Sequence, residues 1–320
     1  MKILFTADWH LSEDRDQKYR LDVFERLSSS RVDMWYVLGD IFDRKGNHPP
    51  SFVDDVLRLM GRVPVPVVIV SGNHDGLTPT ESWCRLFGYL NNCTVVYGTP
   101  AVVKKGGFSV DCYPFGSVWD KPLSENGNLA VFHGMIRGCI LDNGIIAPRG
   151  IAPQFFSGYH LAIGGDIHVP QMIGENIVYT GAPHHLHFGD SFDPQVLIFN
   201  TENGSIERLL LPTQHEKRIV RRKDYLSSLI LPEGSFVRFR ADRELPTEER
   251  ALISQIVKER GWILESIQCE QKSHTGFGNC PDNPVFDNDP RAVLNNYCSQ
   301  NNIHNETKKF MVDELDAELK

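Results

Sequence analysis

The strongest constraint on the fold is a rhythm in residues 1–90, where short apolar runs alternate with amphipathic stretches. Ile3 to Thr6 reads as a strand. Asp16 to Ser30 sets Tyr19, Val23, Phe24 and Leu27 on one helical stripe. Met34 to Leu38 reads as a second strand, and Pro49 to Gly61 as a helix that opens on Pro and closes on Gly. Valine-rich Val65 to Val70 makes a third strand and Pro79 to Leu90 a further helix. Strands separated by helices in this way predict an α/β domain with parallel strands.

The rhythm then changes. Val95 to Tyr97, Ala101 to Val103, Phe108 to Tyr113, Leu129 to Phe132, Leu161 to Ile163, Met172 to Ile173, Ile177 to Tyr179, Val196 to Phe199 and Ile206 to Leu211 are short apolar runs punctuated by Gly, Pro and Asn. They predict a second sheet packed on the first, with helices outside, over a domain spanning residues 1–212. From residue 213 the composition shifts again. The run EKRIVRRKDYL carries Lys217, Arg218, Arg221, Arg222 and Lys223. A strand (Ser235 to Phe239), a helix opened by Pro246, Thr247, Glu248 and Glu249, and a strand (Trp262 to Ile267) complete a small α+β unit over 213–272. Residues 273–290, rich in Gly, Pro, Asn and Asp, read as a linker. Residues 291–320 hold two helical patterns, one with Val293, Leu294 and Tyr297 and one with Met311, Leu315 and Leu319.

Each of the first three strands ends in a polar cluster: ADWH with Asp8 and His10, LGDIFD with Asp40 and Asp43, and SGNHD with Asn73, His74 and Asp75. Two later strands end in VFHG, with His133, and GGDIH, with Asp166 and His168. In open α/β sheets ligands bind beyond the carboxyl ends of the strands, so the first three clusters should meet at one edge. Asp and His at i and i+2 of a strand face the same side and offer an oxygen and a nitrogen to a divalent metal. One such pair is more often a strand end meeting solvent. Two pairs with three more polar loops favour a site. Asp8, His10, Asp40, Asn73, His133, Asp166 and His168 are too many donors for one ion that also leaves room for substrate. They suit two ions, which clamp the attacking and leaving oxygens of a phosphoryl displacement.

The order D-x-H, G-D-x-x-D, G-N-H-D, an isolated His, then G-[HD]-x-H resembles that of the calcineurin-like metallophosphoesterases. ADWHL, GDIFD, GNHDG, GDIHVPQ and YTGAP resemble the SbcD branch, the nuclease subunits of double-strand-break repair complexes. The resemblance implies a four-layer α/β/β/α metallophosphoesterase sandwich with a small α+β capping domain and a helical tail. It gives Asp8, His10 and His168 to one ion, Asn73, His133 and Asp166 to the other, and Asp40 to both. His74 then protonates or stabilises the leaving oxygen, a task suited to a side chain that titrates near neutrality, and Asp75 orients His74. The implied cofactors are two divalent ions, Mn²⁺ or Mg²⁺. The implied partners are DNA, an SbcC-type ATPase held by residues 291–320, and a second copy of the chain. The family usually has His where Asp166 stands, which bears on metal preference.

The net charge of −8 counts against a free-standing nucleic-acid binder but not against a nuclease, whose ions supply local positive charge. Seven cysteines with no C-x-x-C read as reduced packing thiols, and no apolar stretch is long enough to span a bilayer. The opening run reads as a strand rather than a secretory leader, so secretion is not expected. A cytoplasmic, non-membrane protein is the expectation. The expected activity is DNA phosphodiester hydrolysis. The rivals are a small-substrate phosphoesterase and a non-catalytic scaffold. Asp43 reads equally as a turn residue or a helper of the site. His184, His185 and His187 are expected at the rim or on the surface. The basic run 217–223 reads first as a solvated face.

Overall fold

A computed structural model describes residues 1–13, 17–124, 127–211 and 216–269. By contacts the chain divides into Met1–Glu270 and Gln271–Lys320. The expected linker and tail helices lie outside the described residues.

In chain order the first part runs β1 (Lys2–Thr6), α1 (Gln17–Ser28), β2 (Met34–Leu38), α2 (Pro50–Gly61) and β3 (Val67–Val70). A ribbon of β4 (Gly76–Thr78) and β5 (Glu81–Ser82), a 3-10 segment Trp83–Tyr89 and β6 (Cys93–Val96) follow. Then come β7 (Ala101–Lys105), β8 (Phe108–Tyr113), β9 (Leu129–His133), β10 (Leu161–Gly165), β11 (Gln171–Ile173), β12 (Ile177–Tyr179), β13 (Gln195–Asn200) and β14 (Ile206–Leu210). One sheet has the order β14-β13-β1-β2-β3-β6, parallel from β1 to β6 and antiparallel at β13 and β14. The other has the order β11-β12-β10-β9-β8-β7, with a parallel centre and antiparallel edges.

Strand side chains alternate faces, and here both faces are apolar. Ile3, Phe5, Tyr36, Leu38, Val68 and Val70 meet Val110, Leu129, Val131, Leu161 and Ile163 between the sheets. Leu4, Trp35, Val37, Val67 and Ile69 point the other way, onto Val23, Phe24 and Leu27 of α1 and Phe52, Val56 and Met60 of α2. Burial on both faces is why β2 and β3 are continuous apolar runs. The outer face of the second sheet packs Phe132, Ala162 and Tyr179 on Ile136, Cys139, Phe156 and Tyr159, which come from the chain between β9 and β10. That layer holds a single 3-10 turn, Pro153–Phe156.

The helix expected over Pro79–Leu90 is instead the β4–β5 ribbon followed by the 3-10 segment. Ser82 caps that segment through the Cys84 amide, and its buried residues Cys84 and Phe87 are three apart. A three-residue repeat suits the 3-10 turn.

Residues 216–269 form β15 (Lys217–Val220), α3 (Lys223–Ser228), β16 (Phe236–Ala241), α4 (Thr247–Glu259) and β17 (Ile263–Cys269). The three strands are all parallel, so each connection needs a crossover, and α3 and α4 lie in those connections. Val220, Leu226, Val237, Phe239, Ile253, Val257 and Trp262 give the unit its own core. It joins the first part at the loop after β12. The Gly189 amide donates to the Lys217 carbonyl at 3.2 Å, Lys217 Nζ donates to the Leu186 carbonyl at 3.0 Å, and the Arg238 guanidinium lies 4.1 Å from the Phe188 ring centre. The basic run is therefore partly engaged: Lys217 reaches Leu186, and Arg218 pairs with Glu216.

Candidate metal centre

The loops leaving β1, β2, β3, β9 and β10 meet at one edge, and backbone bonds align them. The amides of Asp8, His10 and Leu11 donate to the carbonyls of Gly39, Asp40 and Ile41 at 3.0, 2.9 and 2.8 Å. His133, continuing the inward face of β9, bonds the Leu38 carbonyl through Nδ1 at 2.7 Å and so ties the two sheets together. The Asp166 amide donates to Asp8 Oδ1 at 3.1 Å. Room for this convergence comes from glycine. A Cβ on Gly72 would strike the Asp40 carboxylate and amide, and one on Gly165 the Leu38 carbonyl.

Asp75 is fully buried and accepts four amide bonds: Asp40 (2.9 Å), Ile41 (2.8 Å), Phe42 (3.2 Å) and Gly72 (2.7 Å). It braces the β2 loop against the β3 loop. Burial and nearby Asp40 push its carboxyl pKa up, while the amides of Gly72 and Phe42 pull it down. The sequence reading gave Asp75 the orienting of His74, but that contact belongs to Asp43, whose carbonyl lies 2.5 Å from His74 Nδ1. The Asp43 carboxylate lies 3.3 Å from His10 Nδ1, so one residue steadies two histidines. The hydrogen bond from His10 holds the Asp43 carboxyl below its ordinary range.

The donors fall into two linked groups. Asp8, His10 and His168 offer ligand atoms within 4.8 Å of one another, and so do Asp8, Asp40 and His133. Asp40 faces both sides: Oδ2 lies 3.5 Å from His10 Nε2, and Oδ1 lies 3.4 Å from His133 Nε2. His133 Nε2 is also 2.9 Å from Asn73 Oδ1 and 3.7 Å from Asp166 Oδ1. The structure thus brings together all seven candidate donors. His74 stands beside them, its ring centre 4.7 Å from that of His10 and its amide on Asp40 Oδ1 at 2.8 Å. With Nδ1 on a carbonyl, Nε2 is the nitrogen left for a substrate oxygen.

The donor set suits divalent ions. Burial first, then neighbouring Asp40 and Asp166, push Asp8 up to about 7 against the pull of His133 and His168. Burial also raises Asp166. Burial lowers a histidine, yet Asp40, Asp166 and Asp8 hold His133 at about 9, and Asp142 and Asp8 do the same for His168. Protons here are standing in for cations among crowded carboxylates. His10 Nε2 is buried with no hydrogen-bond partner, and burial lowers the ring's pKa. A neutral imidazole nitrogen facing carboxylates is a metal ligand in waiting.

Backbone strain marks the same place. Among the described residues, the non-glycine positions with positive φ are Asp8 (55°), His10 (44°), Asp40 (53°) and Asp166 (95°). Each such position costs roughly 1–3 kcal/mol, and all four are candidate ligands.

Asp142 was not anticipated. It lies in the β9–β10 connection, its carboxylate 2.9 Å from His168 Nδ1, within ion-pair reach though off the line of a hydrogen bond. A carboxylate behind a ligating histidine fixes the ring and raises its basicity. His184 also departs from expectation. It is buried against Trp9 and Tyr19, and burial keeps its pKa well below the ordinary value. His185 bonds the Phe192 carbonyl at 2.8 Å, and exposed His187 stands at the rim with its ring centre 5.5 Å from that of His168.

The family profile described as calcineurin-like phosphoesterase matches residues 1–198. A curated relative, Uncharacterized protein R555 of Acanthamoeba polyphaga mimivirus, is 22% identical over 97% of this chain and 26% of its own length. The chain therefore spans about a quarter of that relative. Among solved structures, GAP50, the anchor in the inner membrane complex of Plasmodium, is 12% identical over 67% of this chain and 89% of its own, with a TM-score of 0.38. A further crystal structure, also 12% identical, covers 66% of this chain and 99% of its own with a TM-score of 0.45.

Proposed function

Because the chain belongs to the calcineurin-like phosphoesterase family, a family of metal-dependent phosphoesterases, we propose that its reaction is the hydrolysis of phosphodiester bonds in DNA, as in SbcD-type nucleases. Asp8, His10 and His168 would hold one divalent ion and Asn73, His133 and Asp166 a second, with Asp40 contributing to both groups. Two such ions, when bound, neutralise the phosphate and lower the pKa of the attacking water. The remaining work belongs to the chain. Asp43 and Asp142 hold the His10 and His168 rings to their task. Asp75 keeps the β2 and β3 loops in register. As the water oxygen bonds to phosphorus the water would release a proton to solvent, and as the P–O bond to the leaving oxygen breaks, a His74 ring protonated on both nitrogens would give its Nε2 proton to that oxygen while Nδ1–H stays on the Asp43 carbonyl.

The observation that carries the step from phosphoesterase to polymer is the unit over residues 216–269. It is joined to the loop whose His187 neighbours His168. It holds eleven Lys and Arg against nine Asp and Glu, in a chain of net charge −8. A basic unit beside an anion-cleaving site suits a long polyanion better than a small ester. The same reading takes Mn²⁺ as the ion, with Mg²⁺ as the alternative. It takes an SbcC-type ATPase docked by residues 291–320, and a second copy of the chain, as partners.

The test is cleavage of end-labelled single- and double-stranded DNA in Mn²⁺, Mg²⁺ or EDTA by wild type and His74→Ser. Mn²⁺-dependent cleavage abolished by both EDTA and the substitution supports the reading. Hydrolysis of nucleotides with no cleavage of DNA, even with an SbcC-type ATPase and ATP present, overturns it in favour of a small-substrate phosphoesterase.

A further inference from the structure

A groove leads away from the metal centre that none of the site's chemistry uses. Its inner recess touches Gly72, Asn73 and Phe115. Its outer part is a cavity of about 380 Å³ that ends between Trp83, Arg85 and Tyr89. The two share Lys45, Leu77 and Ser82, so they form one path from the donors to the surface. The outer volume lies within the ~300–1,000 Å³ of small-ligand clefts.

Its walls have an unusual make-up for plain surface. Tyr89 is 85% exposed and Leu77 72% exposed. Trp83 is half-buried and held in place: its Nε1 donates to the Gly46 carbonyl at 3.1 Å and its ring meets His48 edge-on at 5.4 Å. Lys45 and Arg85 are exposed and make no ion pair among the described residues. Glu81 is the one acidic residue of the lining. Flat rings spaced with unpaired cations are what a single strand of nucleic acid binds: bases stack on the rings, and phosphates meet the cations.

We propose that this groove is a subsite for single-stranded nucleic acid, holding the nucleotides next to the scissile bond. Bases stack on Tyr89 and Trp83, and backbone phosphates lie between Lys45 and Arg85. The proposal rests on the polymer reading of the site and adds the path by which a strand reaches it. It also supplies a preference for unpaired over paired DNA, because stacking on Tyr89 needs a base free of its partner.

The test is fluorescence anisotropy with a labelled, nuclease-resistant phosphorothioate oligothymidylate of about 12 nucleotides, within the span such sites cover. Wild type is compared with Tyr89→Ala, Tyr89→Phe and Arg85→Ala. Turnover of bis(p-nitrophenyl) phosphate serves as the control for fold and metal loading. Tyr89→Ala should bind about tenfold more weakly and Tyr89→Phe like wild type, since stacking needs only the ring. Arg85→Ala should flatten the salt dependence by about 0.7 in the log–log slope, the loss of one phosphate contact to a single strand. All three should keep ester turnover. Oligonucleotide affinity and salt slope equal to wild type in both alanine variants would overturn the groove and leave the nuclease reading standing. A sedimentation mass that falls from dimer to monomer in Tyr89→Ala, with unchanged affinity per protomer, would make the groove an interface between copies and also overturn it. Wild type that turns over the ester but neither binds this probe nor cuts the unmodified oligothymidylate would refute the polymer reading, and the groove with it.

Discussion

Asp75 offers the sharpest test of how the metal centre is held. Its two carboxylate oxygens each take two amides: Oδ1 those of Ile41 and Phe42, Oδ2 those of Asp40 and Gly72. Asp75→Asn keeps size and shape but turns one oxygen into an NH₂ group. Either flip of the amide leaves two buried N–H groups facing a donor. Each unsatisfied buried donor costs about 1–3 kcal/mol, so the loss should be roughly 3–4 kcal/mol after some relaxation. For a domain of this size about 1 kcal/mol corresponds to about 2–4 °C, so the melting temperature should fall by roughly 6–15 °C. The Asp40 amide and the loop carrying Asn73 and His74 both shift, so divalent-ion affinity should fall as well. The assay is thermal unfolding with EDTA, followed by calorimetric titration with Mn²⁺. Asp75→Ala, which strands all four amides, should be worse than Asp75→Asn. A melting temperature in Asp75→Asn within about 1 °C of wild type, with unchanged ion affinity, would refute the bracing role.

Asp142→Asn should weaken ion binding by about 10–100-fold through its effect on His168. Asp142 is 36% exposed, so its melting temperature in EDTA should hardly move, and a calorimetric titration equal to wild type would count against this role. Asp166→Gly should raise the stability of the metal-free protein by about 1 kcal/mol, because relief of φ at 95° outweighs the entropy glycine adds to the unfolded chain. It should also abolish binding of the second ion, and a lower denaturant midpoint than wild type in EDTA would refute the strain argument. His133 and His168 are held near 9 and Asp8 near 7 in the folded chain, against ordinary values of 6.5 and 3.8. Between pH 6.5 and 9 the folded state therefore binds protons that the unfolded chain has released, and the EDTA-treated protein should lose stability as pH rises. Divalent ions compete for the same groups, so the rise in melting temperature on adding Mn²⁺ should be larger at pH 8.5 than at 6.5. A flat profile would show that the donors are not charged as described.

Much of the core was legible because it follows from strand geometry, and the donors because they follow directly on strand ends; the expectation that Asp8 and His10, and Asp166 and His168, share a strand face does not hold, since they lie past β1 and β10, with Asp8, His10 and Asp166 at positive φ. A strand buried on both faces must be an unbroken apolar run, as Val67–Val70 is, and its polar end must lie where the sheet stops. The parts that were not legible depend on contacts between distant segments. Asp142 sits in a turn like many others, and only the path of the β9–β10 connection brings it to His168. The tract from His184 to His187 has the same composition whether its rings are buried or exposed. Trp9 and Tyr19, far away in sequence, decide that His184 is buried. That Asp43 rather than Asp75 holds His74 was not legible for a related reason. His74 is held by a backbone carbonyl, and every residue has one, so no side chain announces the contact.

The positive φ angles show what kind of site this is. At Asp8, His10, Asp40 and Asp166 the chain turns in a way glycine would allow at least cost. Glycine is used freely next to them, at Gly39, Gly72 and Gly165, where only space or φ matters. A residue kept in a strained conformation with glycine close by must be supplying its side chain. That side chain is a carboxylate or an imidazole at all four positions. None of the four is needed to fill the core, and their carboxylates repel one another when no ion lies between them. Strain and crowded charge at these donors lower the stability of the ion-free chain, protonation relieves part of the crowding, and bound cations would offset both.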